Sequence, residues 1–233
     1  MGLTYDHSST YRDKKLRNIP HFLRLKNIEC LIRENKCGNI SRYADFGCSD
    51  GFLTDRIGKI LEANQIFGFD YNRENIEYGS TQYHDVTFSY IDLNESDSVG
   101  DKFDFITCFE TLEHVSDPKI TIHKIINALN DNGTAVVTVP IEIGIIGIFK
   151  LIIKTTIYRD SMDELQGGRA IFWKYLWALL KGRRISSFRN KRPGWSSHFG
   201  FDYRDVDEAL RNEGIVFRAN NRGFTRFYLF HKT

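Results

Sequence analysis

The sequence lacks the features that mark disulfide-rich, zinc-binding and membrane-spanning proteins. Its four cysteines, Cys30, Cys37, Cys48 and Cys108, form no CxxC pair and no zinc-finger spacing, so no metal site is predicted. No apolar run reaches the roughly 18 residues that a transmembrane helix needs. No apolar signal segment follows Met1. These absences predict reduced thiols and a cytoplasmic protein.

Charge and size narrow the class of protein further. The 32 Lys and Arg side chains nearly balance the 30 Asp and Glu side chains, and a net charge of +2 predicts no nucleic-acid partner. Hydrophobic residues make up 41% of the chain and aromatic residues 14%, which is enough for a full core. At 233 residues, the chain is expected to form a single domain, 1–233, with an insertion.

The stretch Tyr43–Gly51, which reads Tyr-Ala-Asp-Phe-Gly-Cys-Ser-Asp-Gly, organises the chain. The short apolar segment Arg42–Phe46 predicts a buried strand, and Phe52–Leu61 has apolar residues at helical spacing. The glycine turn between them exposes backbone N–H groups at a helix N-terminus, which suits an anionic group of a ligand. The stretch therefore predicts a strand, a tight turn and a helix at a binding site.

Three carboxylates follow predicted strands in register. Asp45 ends the first strand, Asp70 follows the apolar run Ile66–Phe69, and Asp92 follows the run Val86–Ile91. Ligands of open α/β sheets bind outside the carboxyl ends of the strands. Asp70 is placed to bind a ribose diol, Asp92 to accept from an exocyclic amine, and Asp45 to suit a ligand that carries a cation.

This series of acids and glycines strongly resembles the class I S-adenosylmethionine (SAM)-dependent methyltransferases. The segment Phe103–Asp117, FDFITCFETLEHVSD, resembles the fourth-strand segment of their ubiquinone-methyltransferase-like (type 11) branch. Glu110, His114, Asp117 and Pro118 stand where that branch commonly has Glu, His, Asp and Pro. In the glycine loop, the place of the usual middle glycine is taken by a serine, at position 49.

The resemblance implies a fold, a cofactor and a set of cofactor-binding residues. The fold is a Rossmann-like α/β fold with a mostly parallel sheet of seven strands in the order 3-2-1-4-5-7-6, with helices on both faces. The cofactor is SAM, and the product is S-adenosyl-L-homocysteine (SAH). The expected cofactor-binding residues are Asp45, Gly47, Cys48, Ser49, Gly51, Asp70, Tyr71, Asp92, Leu93, Phe109 and Glu110. Tyr71 either lies against the adenine or is a core or surface tyrosine.

The remaining pattern divides the chain into four parts. Residues 1–36 form a tail and a cap helix, 40–140 the SAM-binding core, 141–200 a helical insertion after strand 5, and 201–233 the last helix and a terminal hairpin. The tail is either solvated or a flap that covers the cofactor with a tyrosine. The predicted elements beyond those named above are Pro20–Asn35, Asn72–Gln82, Lys102–Phe109, Asp117–Leu129, Thr134–Val139, Asp202–Asn212, Ile215–Asn220 and Phe224–His231. Gly38 is expected to end the cap helix, and Asn132-Gly133 to end the helix before strand 5.

The insertion is basic and aromatic. It holds eleven Lys and Arg against four Asp and Glu, a net charge of +7, together with all three tryptophans, Trp173, Trp177 and Trp195. This composition indicates either an interfacial helix that contacts a membrane through 143–184 or a lid over an anionic acceptor. A lid with a solvated basic face and a dimer contact remain alternatives, and no oligomeric state is predicted.

The chemistry that the resemblance implies is transfer of a methyl group. His114 and His198 are the candidate catalytic bases, since a histidine pKa near ~6.5 suits proton removal from an alcohol. His114 is instead a structural histidine if it only holds the loop 110–117. The expected acceptor is a hydroxyl of a sugar, a nucleotide-linked sugar or a lipid-linked glycan, as in polysaccharide biosynthesis. Methylation of a quinone or lipid at a membrane surface, or SAM binding without catalysis, are the alternatives.

Two other classes of protein share part of the glycine stretch. Gly47–Gly51 matches the Gly-x-Ser-x-Gly nucleophile elbow, but too few strands and no oxyanion loop precede it. A dinucleotide-binding Gly-x-Gly-x-x-Gly pattern starting at Gly47 fails at Ser49 and Phe52.

Overall fold

The structure is a computed structural model that describes residues 11, 18–36, 38–95, 99–153, 169–189 and 199–232. This part of the chain contains seven α-helices and seven β-strands. The helices are α1 (Ile19–Asn35), α2 (Phe52–Leu61), α3 (Arg73–Gln82), α4 (Pro118–Ala128), α5 (Gly144–Ile153), α6 (Arg169–Leu180) and α7 (Arg204–Asn212). The strands are β1 (Arg42–Phe46), β2 (Gln65–Asp70), β3 (Val86–Tyr90), β4 (Phe103–Phe109), β5 (Leu129–Pro140), β6 (Phe217–Arg222) and β7 (Thr225–His231).

All seven strands form one sheet in the order β3-β2-β1-β4-β5-β7-β6. Strands β1 to β5 pair in parallel, and β7 runs antiparallel to both β5 and β6. A tight turn at Gly223-Phe224 joins β6 to β7, which only antiparallel neighbours allow. The predicted order and the Rossmann-like fold class are therefore confirmed.

Two hydrophobic clusters cover the two faces of the sheet. Helices α4 and α7 contribute to one cluster, for example through Ile122 and Leu210. Helices α1 and α2 contribute to the other through Ile28 and Ile57. Strand β5 is buried from Gly133 to Pro140 because both of its faces are covered, as its continuous apolar sequence predicts.

Local capping signals position the helices beside the sheet edge. The Asn72 side chain accepts hydrogen bonds from the backbone N–H groups of Glu74 and Asn75 and caps α3, as predicted. Asp117 caps α4 by accepting from the Lys119 N–H, and Pro118 is the first residue of that helix, also as predicted. Both caps fix where the chain leaves the carboxyl ends of the strands.

Helices α1 and α4 both end within one residue of their predicted bounds, but the two glycine-containing signals that were predicted to end them lie elsewhere. Helix α1 ends at Asn35, three residues before Gly38, because the extended Lys36 closes it by donating to the Ile32 carbonyl. Helix α4 ends at Ala128, and Asn132-Gly133 lies inside β5 at a register shift against β4. Asn132 adopts a positive φ of 63° there, so the turn residues bend a strand.

In its described residues, 141–153, 169–189 and 199–200, the insertion forms two helices and a short 3₁₀ turn at Ser186–Phe188. Helices α5 and α6 pack against each other around a third hydrophobic cluster that contains Leu151, Tyr175 and Leu179. None of the described helices combines the length and hydropathy that crossing a bilayer requires.

Candidate active site

A cavity of about 450 Å³ opens at the carboxyl ends of β1, β2 and β4. Ten of the eleven predicted cofactor-binding residues line it, together with His114. The ten are Asp45, Gly47, Cys48, Ser49, Asp70, Tyr71, Asp92, Leu93, Phe109 and Glu110. The topology thus brings together residues that lie up to 65 positions apart in the sequence.

The glycine loop keeps its shape although a serine occupies its middle position. Ser49 has a positive φ of 52°, the left-handed conformation that a glycine adopts without strain. Its N–H donates to Oδ2 of Asp70 at 2.8 Å, and the Asn75 side chain donates to its hydroxyl at 3.2 Å. These two hydrogen bonds hold the serine in the conformation that the loop requires.

Gly51 does not line the cavity, unlike the other predicted residues. It has a φ of 80° at the N-terminus of α2, and a Cβ built there would lie 2.3 Å from Cζ of Phe88. A Cβ on Gly47 would similarly lie 2.1 Å from the Thr111 hydroxyl. Both glycines are required by close packing of the loop, and only Gly47 also faces the cavity.

Asp45 lies at the bottom of the cavity and is 2% exposed. Its two carboxylate oxygens accept hydrogen bonds from the hydroxyls of Thr54 and Thr107, each at 2.7 Å. Burial raises its pKa to about 6, although the two hydroxyls act in the opposite direction. A cationic group placed beside Asp45 would therefore favour its ionised form.

Asp70 and Asp92, the second and third of the predicted carboxylates, also line the cavity. Asp70 accepts from the N–H of Asn72 at 2.9 Å, in addition to its bond with the glycine loop. Asp92 accepts from the backbone and the side chain of Asn94, both at 2.8 Å. Tyr71 is 41% exposed beside them, and burial together with the charges of Asp70 and Asp92 raises its pKa to about 12.

Several cavity residues are absent from the predicted cofactor-binding set, and three of them come from the N-terminal part of the chain. These three are Tyr11, His21 and Arg24. The Tyr11 ring lines the cavity and stacks on Phe52. Residues 1–10 and 12–17 lie outside the described residues, and the flap over the cofactor stays a prediction. Helix α1 carries His21 and Arg24, and His21 lies 2.9 Å from Nη2 of Arg24.

Arg24 forms an ion pair with Glu110 across the cavity wall, with 2.5 Å between Nη1 and Oε2. Burial is the largest effect on Arg24 and works against its charge, but Glu110, Tyr11 and Glu113 together outweigh it, so the pKa of Arg24 is raised. Glu110 adopts a positive φ of 49° where β4 ends. The pair places a guanidinium and a carboxylate side by side at the cavity wall.

His114 lines the cavity from the loop 110–117. The backbone N–H of His114 donates to the Thr111 carbonyl at 2.9 Å, and the ring Nε2 lies 3.9 Å from Oε1 of Glu113. Glu113 is 1% exposed, and burial, followed by the charge of Glu110, raises its pKa well above the usual value. His198, the second predicted base, lies outside the described residues.

Arg189 of the insertion contacts the loop 110–117, which carries His114. The Arg189 guanidinium donates to the carbonyls of Glu113 at 3.0 Å, of Leu112 at 3.4 Å and of Val115. Burial lowers its pKa to about 10. The loop that carries His114 therefore depends on a residue some 75 positions away.

The family of the chain follows from comparison with known proteins. The family model described as "Methyltransferase domain" matches residues 9–190, which is more than half of the chain. The chain belongs to this methyltransferase family. The predicted resemblance to class I SAM-dependent methyltransferases is thereby confirmed.

Curated relatives match over a limited length. A ubiquinone biosynthesis O-methyltransferase of Alkalilimnicola ehrlichii is 30% identical over 87 residues, which cover 35% of this chain and 34% of that protein. It accords with the ubiquinone-methyltransferase-like branch. The chain spans about a third of the length of the curated relatives that it matches.

Solved structures match over almost the whole chain. The magnesium protoporphyrin IX methyltransferase ChlM of Synechocystis PCC 6803 with bound SAH has a TM-score of 0.60 at 13% identity, covering 97% of this chain and 92% of that one. The N-methyltransferase NodS of Bradyrhizobium japonicum WM9 in complex with SAH has a TM-score of 0.57 at 13% identity, covering 98% and 93%. At this identity the likeness concerns the fold.

Proposed function

We propose that the chain is a SAM-dependent methyltransferase that methylates a hydroxyl of a small acceptor. One observation carries the proposal: a single cavity at the sheet edge collects the glycine loop and the three acids Asp45, Asp70 and Asp92. Membership of the methyltransferase family supports the same activity. We further propose that 1–233 acts as one domain, with 141–200 as its acceptor-side insertion.

The residues of the cavity match the groups of SAM in charge and hydrogen-bonding capacity. Asp70 retains acceptor capacity for a ribose diol, and Asp92 for the adenine amine, beside the flat ring of Tyr71. Arg24 would hold the methionine carboxylate, and Asp45 would favour the ammonium group. The sulfonium of SAM supplies an electrophilic methyl group, and the chain's task is to position the acceptor and exclude water.

Binding of SAM and SAH, and not of NAD, is the result that tests this proposal. Isothermal titration calorimetry with the folded chain should detect binding of both SAM and SAH. Asp70→Ala should weaken SAH binding about 10- to 150-fold, since it removes a charge-assisted hydrogen bond worth ~1.5–3 kcal/mol. Glu77→Ala, on the exposed surface of α3, is the matched control and should bind normally. No SAM binding by the folded wild type would refute the proposal.

Affinity for SAH is expected to rise with pH across the titration of Asp45. In the free protein this carboxyl is protonated below its pKa of about 6, and a bound ammonium favours the ionised form. Binding near this pH should therefore release a proton, which calorimetry in buffers of different ionisation enthalpy measures. Asp45→Asn keeps an oxygen acceptor for a threonine hydroxyl and should abolish the release. An unchanged release in that variant would contradict the assignment.

The acceptor that we propose is a hydroxyl of a sugar, a nucleotide-linked sugar or a lipid-linked glycan. The basic character of the insertion supports an anionic acceptor of this kind. A quinone or lipid acceptor at a membrane surface is the second candidate, favoured by the aromatic residues of the same insertion. A panel of these acceptors with methyl-labelled SAM decides between them, and binding of SAM without transfer to any acceptor would indicate a non-catalytic module.

We also propose a cytoplasmic location, because the cysteines suit a reducing compartment. Cys48 and Cys108 are buried free thiols, and burial raises the pKa of both well above the usual value. Such thiols are poor nucleophiles, so they act as small apolar side chains.

A further inference from the structure

The helical pair of the insertion displays an apolar face to solvent. On α5, Ile145 is 86% exposed and Phe149 55% exposed. On α6, Trp173 is 71% exposed and Trp177 55% exposed, and Leu180 is exposed beside them. Large aromatic and aliphatic side chains at this exposure cost free energy in water and indicate a contact surface.

The exposed residues repeat with the period of a helix. On α5 they are Ile145, Phe149 and Ile152, and on α6 they are Trp173, Trp177 and Leu180, so both sets follow the spacing i, i+4, i+7. The opposite sides of both helices are occupied, because Leu151, Tyr175 and Leu179 form the insertion's own hydrophobic cluster. The exposed face is therefore a second apolar stripe, separate from the cluster that the described residues of the insertion form.

The charged residues within the two helices and directly after α6 have one sign. The ranges 144–153 and 169–184 contain six Lys and Arg and no Asp or Glu. Lys150 pairs with Glu142, and Arg184 pairs with acids of α7, whereas Lys174, Lys181 and Arg183 are exposed. The Lys181 ammonium lies 4.9 Å from the centroid of the Trp177 ring, so cation and aromatic ring share one surface.

We propose that this face docks on the surface of an anionic lipid bilayer. Tryptophan with adjacent Lys and Arg is the composition of helices that lie in the headgroup region, with the apolar side towards the acyl chains. Neither helix has the length and hydropathy to cross the bilayer, so the pair lies on it. The basic side chains supply the electrostatic attraction. The tryptophans and Phe149 penetrate into the interfacial region of the bilayer.

The same charges disfavour a second copy of this chain as the occupant. A two-fold contact places the same patch on both sides of the interface. Lys174, Lys181 and Arg183 would then face their own counterparts, with no acid within either helix to offset them. An anionic bilayer offers the complementary charge over the whole face.

The segment that carries the docking surface is connected to the cavity wall through Arg189. Arg189, which follows α6 and the 3₁₀ turn, holds the loop that carries His114. An amphiphilic acceptor carried in the bilayer would thus be presented to the cavity by the segment that binds the membrane; this last step rests on the proposed methyltransferase activity, whereas docking itself does not.

Co-sedimentation of the full chain with vesicles tests the docking without any cofactor. The chain should sediment with vesicles of phosphatidylcholine and phosphatidylglycerol, bind weakly to phosphatidylcholine alone, and lose binding as salt rises. Trp173→Ser with Trp177→Ser should lower partition about tenfold or more. Neutralising Lys174, Lys181 and Arg183 to Gln should lower it roughly 100-fold. Ile120→Ser with Val216→Ser, which removes exposed apolar side chains elsewhere, should leave it unchanged.

A second measurement needs no variant. All three tryptophans lie in the insertion. Brominated phospholipids in anionic vesicles should therefore quench the fluorescence of the wild-type chain, and binding should shift its emission maximum to the blue.

No quenching and no sedimentation by the folded chain would overturn the proposal. Equal loss of binding in the Ile120/Val216 variant would overturn it as well. A dimer in light scattering that dissociates on the tryptophan substitutions, without vesicle binding, would identify the face as a contact between copies. SAM binding without vesicle binding would refute docking and leave the methyltransferase proposal standing.

Discussion

Replacing His114 by alanine is expected to lower turnover by about 10²–10⁴-fold, the usual contribution of a general base. His114 lines the cavity, on the loop next to the end of β4. Removing a proton from an acceptor hydroxyl requires a neutral imidazole, so the wild-type rate should rise with pH as the ring loses its proton. SAH affinity should change little. Labelled-methyl transfer to an acceptor from the panel, measured as a function of pH, gives the turnover and its pH dependence. Calorimetry gives the SAH affinity.

His123→Ala is the matched control for this substitution. His123 lies on the outer side of α4, where its Nδ1 is 2.8 Å from Glu213, and its loss should leave turnover intact. His198→Ala tests the other predicted base. Full turnover with an unchanged pH profile in both the His114 and the His198 variants would exclude these two histidines as the catalytic base.

Replacing Arg189 by alanine is expected to destabilise the fold by about 2–5 kcal/mol. The substitution leaves three buried carbonyls, at Leu112, Glu113 and Val115, without their guanidinium donor. It also removes a cation from the Phe201 ring, whose centroid lies 5.4 Å from the guanidinium carbon. Urea unfolding at equilibrium measures the loss.

Two further variants separate this role from a general effect of charge. Arg189→Lys restores a positive charge but not the planar fork of donors, so it should recover only part of the stability. Arg183→Ala removes an exposed arginine six positions earlier and should change the free energy of unfolding by less than about 0.5 kcal/mol. Equal stability of Arg189→Ala and the wild type would show that water replaces the guanidinium at the three carbonyls.

Local signals in the sequence were sufficient to predict the elements that build the cavity. Asn72 and Asp117 are caps whose side chains act within three residues, so a single sequence reveals them. Asp45, Asp70 and Asp92 follow apolar runs, and parallel strands bring such positions to one edge. The ten residues at one cavity follow from these local patterns and from the resemblance.

Contacts over long sequence distances could not be predicted in the same way. Arg24 looks like a solvated charge on an amphipathic helix, and only the packing of α1 against the sheet brings it to Glu110, 86 positions away. Arg189 looks like one of eleven basic residues of the insertion until its burial at the His114 loop is known. Asn132-Gly133 carries a turn signal that operates inside a strand, because pairing with β4 and β7 extends β5 around it.

The insertion has a hydrophobic cluster of its own, and that cluster shares no residue with the two clusters that cover the sheet. A volume change at Tyr175 is therefore expected to affect first its neighbours Phe188 and Phe199, and not the packing that shapes the glycine loop. Substitutions can therefore accumulate in one hydrophobic cluster without destabilising the others. Arg189, at the His114 loop, and Arg184, at α7, are among the contacts that connect the insertion to the rest of the chain. A foreign insertion grafted onto this sheet would therefore need equivalent arginines.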